Sequence, residues 1–277
     1  MDLKNTLTFG GVNSATYGIY IDGSGVFNSP ERDVTMITIP GRNGQLTIDN
    51  GRFENVEVTY TAFVSEDNGN TFAENIRDFR NAIGSLTGYQ RLEDTYHTDE
   101  YREAIFRNGI EIEPVIYQTG GEFEITFDCK PQRWIVIADD PMPAENQHVL
   151  DGYEPVMPSK PLLMVVYNKA TYGDSSPGQL EFAFQYNLTI DRNTTQTPNT
   201  YGWNCMYIDC ELMEAYEYAV NTDDNVGSGA ISSCNTRISA PQGFPIIPSN
   251  YPSNYSFLTS APVHIASVYM YRRLWRL

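Results

Sequence analysis

Positive charge is scarce in this sequence. Its 277 residues carry 18 Lys and Arg against 35 Asp and Glu, a formal charge of −17. Such a chain is a poor partner for nucleic acid, because gripping phosphates requires clustered cations that displace counterions. Histidine is scarcer still: His97, His148 and His264 stand in unrelated contexts. The sequence holds no H-E-x-x-H helix, no G-x-S-x-G elbow and no phosphate-binding loop, so the common hydrolase and nucleotide-binding motifs are excluded. Cys129, Cys205, Cys210 and Cys234 form no C-x-x-C pair and have no histidine near them in sequence. That pattern points to free thiols, not to zinc or a disulfide. No apolar run approaches the roughly 20 residues of a membrane span. The opening Met1-Asp2-Leu3-Lys4-Asn5-Thr6 lacks the basic patch and apolar stretch of a secretory signal. Folding in a cytoplasm, without membrane insertion, is therefore expected. Glu111 with Glu113, and Glu122 with Glu124, share strand faces and formally offer glycosidase-like carboxylate pairs. Carboxylates alone do not make such a site, so we assign no catalytic, cofactor-binding or metal-ligating residue and expect no enzyme.

Apolar mass, by contrast, is ample. Hydrophobic residues make up 41% of the chain and aromatics 13%, enough for a real core and too much for wholesale disorder. The length suits two domains better than one. The acidity is uneven: through residue 140 there are 11 basic and 23 acidic residues, net −12, and beyond it 7 and 12, net −5.

The dominant hydrophobic period is two, the signature of strands with one buried face, so the fold class is mainly β. Asp22-Gly23, Asn43-Gly44, Asn50-Gly51, Asn68-Gly69 and Asn108-Gly109 fall between apolar runs and predict hairpin turns. One segment breaks the period. Phe72, Ile76, Phe79 and Ile83 recur at helical spacing, Thr71 and Glu74 form a capping box and Gly84 supplies a stop, which predicts a single amphipathic helix over 72–83. From Gly121 to Pro131, Phe123, Ile125, Phe127 and Cys129 alternate with Glu122, Glu124, Thr126 and Asp128, a half-buried strand that Pro131 is expected to close.

A composition shift at Asp139-Asp140-Pro141-Met142-Pro143, followed by Pro155, Pro158 and Pro161, suggests a linker. The expected organisation is a domain at 1–140, a linker at 141–160 and a second domain at 161–277. Strands are predicted in the second at Leu162–Tyr167, Leu180–Ile190, Cys205–Cys210, Ala215–Val220 and Val263–Tyr271, joined by polar loops as in a sandwich.

Several local features admit two readings. Pro40 fixes one dihedral while Gly41 and Gly44 permit conformations closed to other residues, so Pro40 to Gly44 reads as a tight turn between strands. Arg42 at its tip is either a solvated charge or a donor to a neighbouring subunit. Tyr201 and Trp203 could stack on a sugar, although aromatics beside Gly and Asn more often pack a loop down. Asp223-Asp224-Asn225 with Gly227 has calcium-like chemistry without the spacing of a calcium loop and reads better as a hairpin turn.

In order along the chain, the first half carries Phe9-Gly10-Gly11, Ser14 and Tyr17-Gly18-Ile19; then Ser29-Pro30-Glu31-Arg32-Asp33-Val34; then Ile39-Pro40-Gly41-Arg42-Asn43-Gly44-Gln45-Leu46; then Asp49-Asn50-Gly51-Arg52-Phe53-Glu54-Asn55. The helix, Tyr89-Gln90-Arg91-Leu92 and the exit Phe127-Asp128-Cys129-Lys130-Pro131 follow. This series resembles the N-terminal domain of the distal tail proteins of long-tailed bacteriophages. In the second half, Tyr207-Ile208-Asp209-Cys210-Glu211 with Ala215-Tyr216, Gly243-Phe244-Pro245 and the closing Tyr271-Arg272-Arg273-Leu274-Trp275-Arg276-Leu277 look like landmarks of that family's galectin-like C-terminal sandwich.

The resemblance implies an N-terminal β-sandwich or barrel with one α-helix and a C-terminal galectin-like β-sandwich. It also implies a structural role in the virion: a homo-hexameric ring in the tail tip, made in the host cytoplasm. Such a ring joins the tail tube protein to the tail-tip protein, with a receptor-binding protein as a further neighbour. In that frame Pro40, Gly41, Arg42 and Gly44 become candidates for the subunit interface. DNA crossing a ring without sticking favours carboxylates on the channel wall. Glu111, Glu113, Glu122 and Glu124 are the candidates, since Ile110, Ile112, Phe123 and Ile125 point the opposite way; an ordinary solvated strand face is the alternative. The competing function is a carbohydrate-binding module for host surface glycans, with Tyr201 and Trp203 as its contacts.

Overall fold

The computed structural model describes residues 4–23, 26–66, 69–115, 120–144, 157–167, 178–190, 205–218, 231–249, 256–262 and 265–277. The described residues are mainly β with one α-helix, and the chain divides into two compact units, 1–134 and 135–276, the C-terminal Leu277 grouping with the first.

The first unit contains β1 (Leu7–Phe9), β2 (Val12–Asn13), β3 (Ile19–Asp22), β4 (Arg32–Thr38), β5 (Gln45–Phe53), β6 (Val56–Val64), α1 (Phe72–Gly84), β7 (Gln90–Asp94), β8 (Glu100–Ile105), β9 (Ile112–Val115) and β10 (Gly120–Ile135). Its large sheet runs β2-β1-β7-β8-β10-β6-β3, with β9 also paired to β10. Alternation decides the faces. In β6, Val56, Val58, Tyr60, Ala62 and Val64 are buried, and in β10 Phe123, Ile125, Phe127 and Cys129 join them. Phe127 is the aromatic centre, with ring centroids 4.9 Å from Phe9, 5.8 Å from Phe106 and 6.1 Å from Tyr60. Such pairs add about 0.5–1.5 kcal/mol beyond their burial.

The helix forms as the capping box predicts: Thr71 accepts from the Glu74 N–H while Glu74 accepts from the Thr71 N–H. Its inward face, Ile76, Phe79 and Ile83, lies in the same core, each side chain worth roughly 2 kcal/mol of burial. Gly18, at φ 63, is where the backbone comes closest: a Cβ there would stand 2.2 Å from the Ser65 carbonyl oxygen.

Pro131 does not close its strand. The ladder between β10 and β6 ends at Cys129 opposite Val56, so a proline two residues on removes no bond from it, and β10 continues to Ile135. Asn50-Gly51 is likewise no turn. It lies inside β5 as a bulge where Arg32 pairs Phe53 and Val34 pairs Asp49. Gly51 takes φ 73, and the Asp49 carboxylate accepts the Gly51 N–H at 2.8 Å, so the dipeptide bends the ribbon without reversing it.

The second unit holds β11 (Met142–Pro143), β12 (Leu162–Tyr167), β13 (Gly178–Phe182), β14 (Asn187–Ile190), β15 (Cys205–Asp209), β16 (Glu214–Tyr218), β17 (Ile231–Ser233), β18 (Ile238–Ser239), β19 (Leu258–Ser260) and β20 (Ile265–Tyr271). Sheets β11-β20-β12-β15-β16-β17 and β18-β14-β13-β19 enclose one core as a sandwich. The predicted strand over 180–190 is instead a hairpin. Ala183 to Gln185 make a short 3-10 turn, Gln185 takes φ 66, and Leu180 pairs Leu188 across it. Within the expected linker, Met142 and Pro143 pair with β20, Ala144 is buried and Ser159 bridges Ile247; residues 145–156 lie outside the described residues.

Candidate assembly surfaces

The most exposed secondary structure in the first unit is the β4–β5 ribbon. Its two strands pair only with each other among the described residues, and a lone hairpin is marginal in water. Polar cross-strand bonds hold it. Arg32 meets Asp49 and Arg52 meets Asp33, both at 2.5 Å, while Asn50 donates to Asp33 and Gln45 to Thr38. The bonds from Asn50 and Arg52 lower the Asp33 carboxyl; those from the Gly51 N–H and Arg32 lower Asp49. One ribbon face is apolar, with Ile37 opposite Leu46 and Ile48 two residues beyond, each 40–45% exposed. Gly41 and Gly44, at φ 79 and 80, turn the tip, and Pro40, Gly41, Arg42 and Gly44 sit there together.

Two buried arginines support the root of this ribbon. Arg102 on β8 is 3% exposed and donates to the carbonyls of Lys130, Pro131 and Asn28. Arg133 on β10, 8% exposed, donates to the Val26 carbonyl. Burial, with the Arg133 charge beside it, lowers Arg102 to about 10. A small cleft adjoins them, lined also by Tyr60, Asp94, His97 and Glu100. Asp94 is occupied, accepting the Tyr60 hydroxyl at 2.9 Å and the backbone N–H groups of Tyr96 and His97. Burial raises the Tyr60 hydroxyl well above its ordinary value, and Asp94 adds to the effect. Sequence reading singled out neither arginine, because a charged residue on a period-two strand is assigned by default to the wet face.

Glu122 and Glu124 project from the solvent face of β10, and Glu111, also exposed, precedes β9. Glu113 pairs in register with Glu122. Their apolar neighbours Phe123, Ile125 and Ile110 are buried, and Ile112 is partly buried against the same core.

In the second unit an ion pair joins two stretches quoted above as separate landmarks. Asp209, its side chain 5% exposed, receives both guanidinium arms of Arg273 at 2.9 and 2.8 Å, together with the N–H groups of Glu211 and Leu212. Burial alone would raise the Asp209 carboxyl, but Arg273 and those N–H donors outweigh it and hold it below the ordinary range.

The cysteines are unpaired. Burial raises all four thiols, Cys129 to about 12. Among the described residues no group of three or more His, Cys, Asp or Glu is placed to hold a metal ion, and no helix is long and apolar enough to cross a membrane. Tyr201, Trp203 and the Asp223 to Gly227 segment lie outside the described residues.

No family model matches the sequence, and no curated protein matches it. Solved structures do match. The Dit protein of phage SPP1, presented as a paradigm of the hub adsorption apparatus in phages infecting Gram-positive bacteria, superimposes with a TM-score of 0.61 at 10% identity, covering 96% of this chain and 97% of that one. The chain has the distal tail protein fold. A chain of the phage p2 baseplate in its activated, strontium-bound conformation follows, at TM-score 0.50 and 8% identity over 99% and 98% of the two chains. The distal tail fold thus extends through both units, and the neighbours that share it are hub and baseplate proteins.

Proposed function

We propose that this protein is the hub of a phage tail tip. Six copies close into a ring that joins the tail tube to the tail-tip and host-adsorption proteins, a receptor-binding protein among them, and genome DNA passes through its channel. The protein is made in the host cytoplasm and resides in the virion, and its work is assembly and not catalysis. The reading rests on one observation above all: a fold match running nearly end to end with the hub protein of the SPP1 adsorption apparatus.

Two surfaces support it. The exposed ribbon, with Pro40, Gly41, Arg42 and Gly44 at its tip, has the form of an arm that a neighbouring subunit completes. The carboxylates Glu111, Glu113, Glu122 and Glu124 are assigned to the channel wall. Six copies of residues 1–140, each at −12, bring 6 × −12 = −72 formal charges to the ring, and like charge within a Debye length of about 8 Å keeps phosphates from adhering. The reading as a glycan-binding module finds no comparable support.

Cryo-EM of the purified protein tests the proposal. Six-fold rings with an open, acidic pore are the expected result. A protein that stays monomeric at concentrations of about 100 µM, far above a typical micromolar subunit affinity, overturns it.

A further inference from the structure

We infer that Asn43, at the tip of the ribbon, is a self-modifying site where the chain converts its own asparagine to aspartate and isoaspartate, while Asn50 in the same ribbon is protected. The inference concerns the free subunit and stands apart from the ring reading.

The reaction needs water and no other protein. The main-chain nitrogen of Gly44 attacks Cγ of the Asn43 side chain, so that a C–N bond forms, the side-chain amide bond breaks and its nitrogen leaves as ammonia with the Gly44 proton. Water then opens the five-membered imide at either carbonyl. One opening gives aspartate; the other gives isoaspartate, with the main chain routed through the side chain. Nothing is oxidised or reduced. Glycine suits the attacking position because no Cβ shields its nitrogen.

The structure separates two pairs that are identical in sequence. Asn43-Gly44 and Asn50-Gly51 are both exposed, so water reaches each. They differ in what must be given up. At the tip, among the described residues, no hydrogen bond holds the Asn43 amide or the Gly44 N–H, and a Cβ built on Gly44 would meet nothing within 4 Å. Thr38 opposite Gln45 is the last cross-strand pair, which leaves 39–44 outside the ladder. At the bulge, the Asn50 amide donates to Asp33 at 2.7 Å and to Thr35 at 3.3 Å, and the Gly51 N–H donates to the Asp49 carboxylate at 2.8 Å. Both reacting groups are therefore tied. The Asp49 carboxylate also opposes the negative charge that the attacking nitrogen must acquire. Asn108-Gly109 is exposed but pinned one residue on, where Ile110 is buried and Arg80 holds its carbonyl; Asn68 lies outside the described residues.

The product changes the tip in two ways. Arg42 is the one charged residue in 39–46, so a new carboxylate takes that stretch from +1 to 0. Isoaspartate also adds a main-chain carbon between Thr38 and Gln45, within the turn that sets the register of the ribbon.

The full-length protein tests this by incubation in mildly alkaline buffer at nanomolar concentration, where subunits of micromolar affinity are apart. Peptide mapping with electron-transfer fragmentation reads aspartate and isoaspartate at 43 and 50 over time, beside a sample held in urea. In urea the two asparagines should react at similar rates. In the folded protein Asn43 should keep that rate and Asn50 should fall behind by about tenfold to a hundredfold, the cost of breaking its hydrogen bonds. An Asn43 as slow as Asn50 at every concentration overturns the proposal, and so does an Asn50 that keeps pace with Asn43 in the folded chain. Protection of Asn43 that sets in only as concentration rises places the tip in a contact between subunits and leaves the chemistry of the free subunit standing. A protein that never assembles, with Asn43 still reacting fastest, defeats the ring reading and supports this one.

Discussion

Replacing Asp209 by alanine strips four acceptor bonds at once from the turn between β15 and β16: two from the Arg273 guanidinium and two from the N–H groups of Glu211 and Leu212. Removing one partner of a buried ion pair costs about 3–5 kcal/mol. Arg273 is 27% exposed and can regain water, which places the expected loss near the lower end, about 3 kcal/mol. Asp209→Asn keeps the shape and the backbone acceptor and should lose about half as much. Because the chain has two units, one global unfolding free energy is not defined. Hydrogen exchange of the peptide covering 205–218 reads the local opening instead. A loss of 3 kcal/mol corresponds to exchange more than a hundredfold faster. The pH dependence has a definite sign. With its folded carboxyl held below the ordinary value of about 3.9, Asp209 stabilises fully above that pH, and the contribution disappears as pH falls through the lowered value. The gap between wild type and Asp209→Asn should therefore close on acidification. An alanine variant whose exchange rises less than about fivefold, or a gap that widens in acid, refutes the reasoning.

Other substitutions test other levels. Gly18→Ala should destabilise the first unit by at least about 2 kcal/mol, measured by its urea midpoint, since its Cβ would meet the Ser65 carbonyl at 2.2 Å. Thr71→Ala removes one half of a reciprocal cap and should cost about 1 kcal/mol, seen as faster exchange in the first turn of α1. Glu122→Lys with Glu124→Lys should leave ring assembly intact and slow DNA ejection in a phage release assay; unchanged ejection would remove these residues from the channel wall.

Sequence made some of this legible because the deciding interactions are local. The helix over 72–84 is fixed by a cap four residues long and by apolar spacing on one face, and both are visible in the linear chain. The alternation from Gly121 to Cys129 states which side of β10 is dry. Where partners are remote, the signal fails. Asn50-Gly51 has the composition of a hairpin turn; the bonds from Asn50 and Arg52 to Asp33, seventeen and nineteen residues away, make it a bulge. The hairpin at Ala183 to Gln185 has no Gly or Asn to announce it, and Gln185 takes positive φ without a glycine. Arg102 and Arg133 were invisible for a related reason: their acceptors are main-chain carbonyls up to 107 residues distant, to which no side-chain pattern points.

The state of the four thiols has a practical consequence. Three are buried, Cys205 is partly exposed, and burial shifts every one toward the protonated form, whereas a thiolate is what reacts with maleimides and oxidants. At neutral pH the natural protein should therefore take up label slowly. A single cysteine introduced in place of Arg42, at the wet tip of the ribbon, would react first, so a spin or fluorescent probe can be put on the arm without removing any native residue from the core. Distances between such probes would then report the spacing of the arms around an assembled particle.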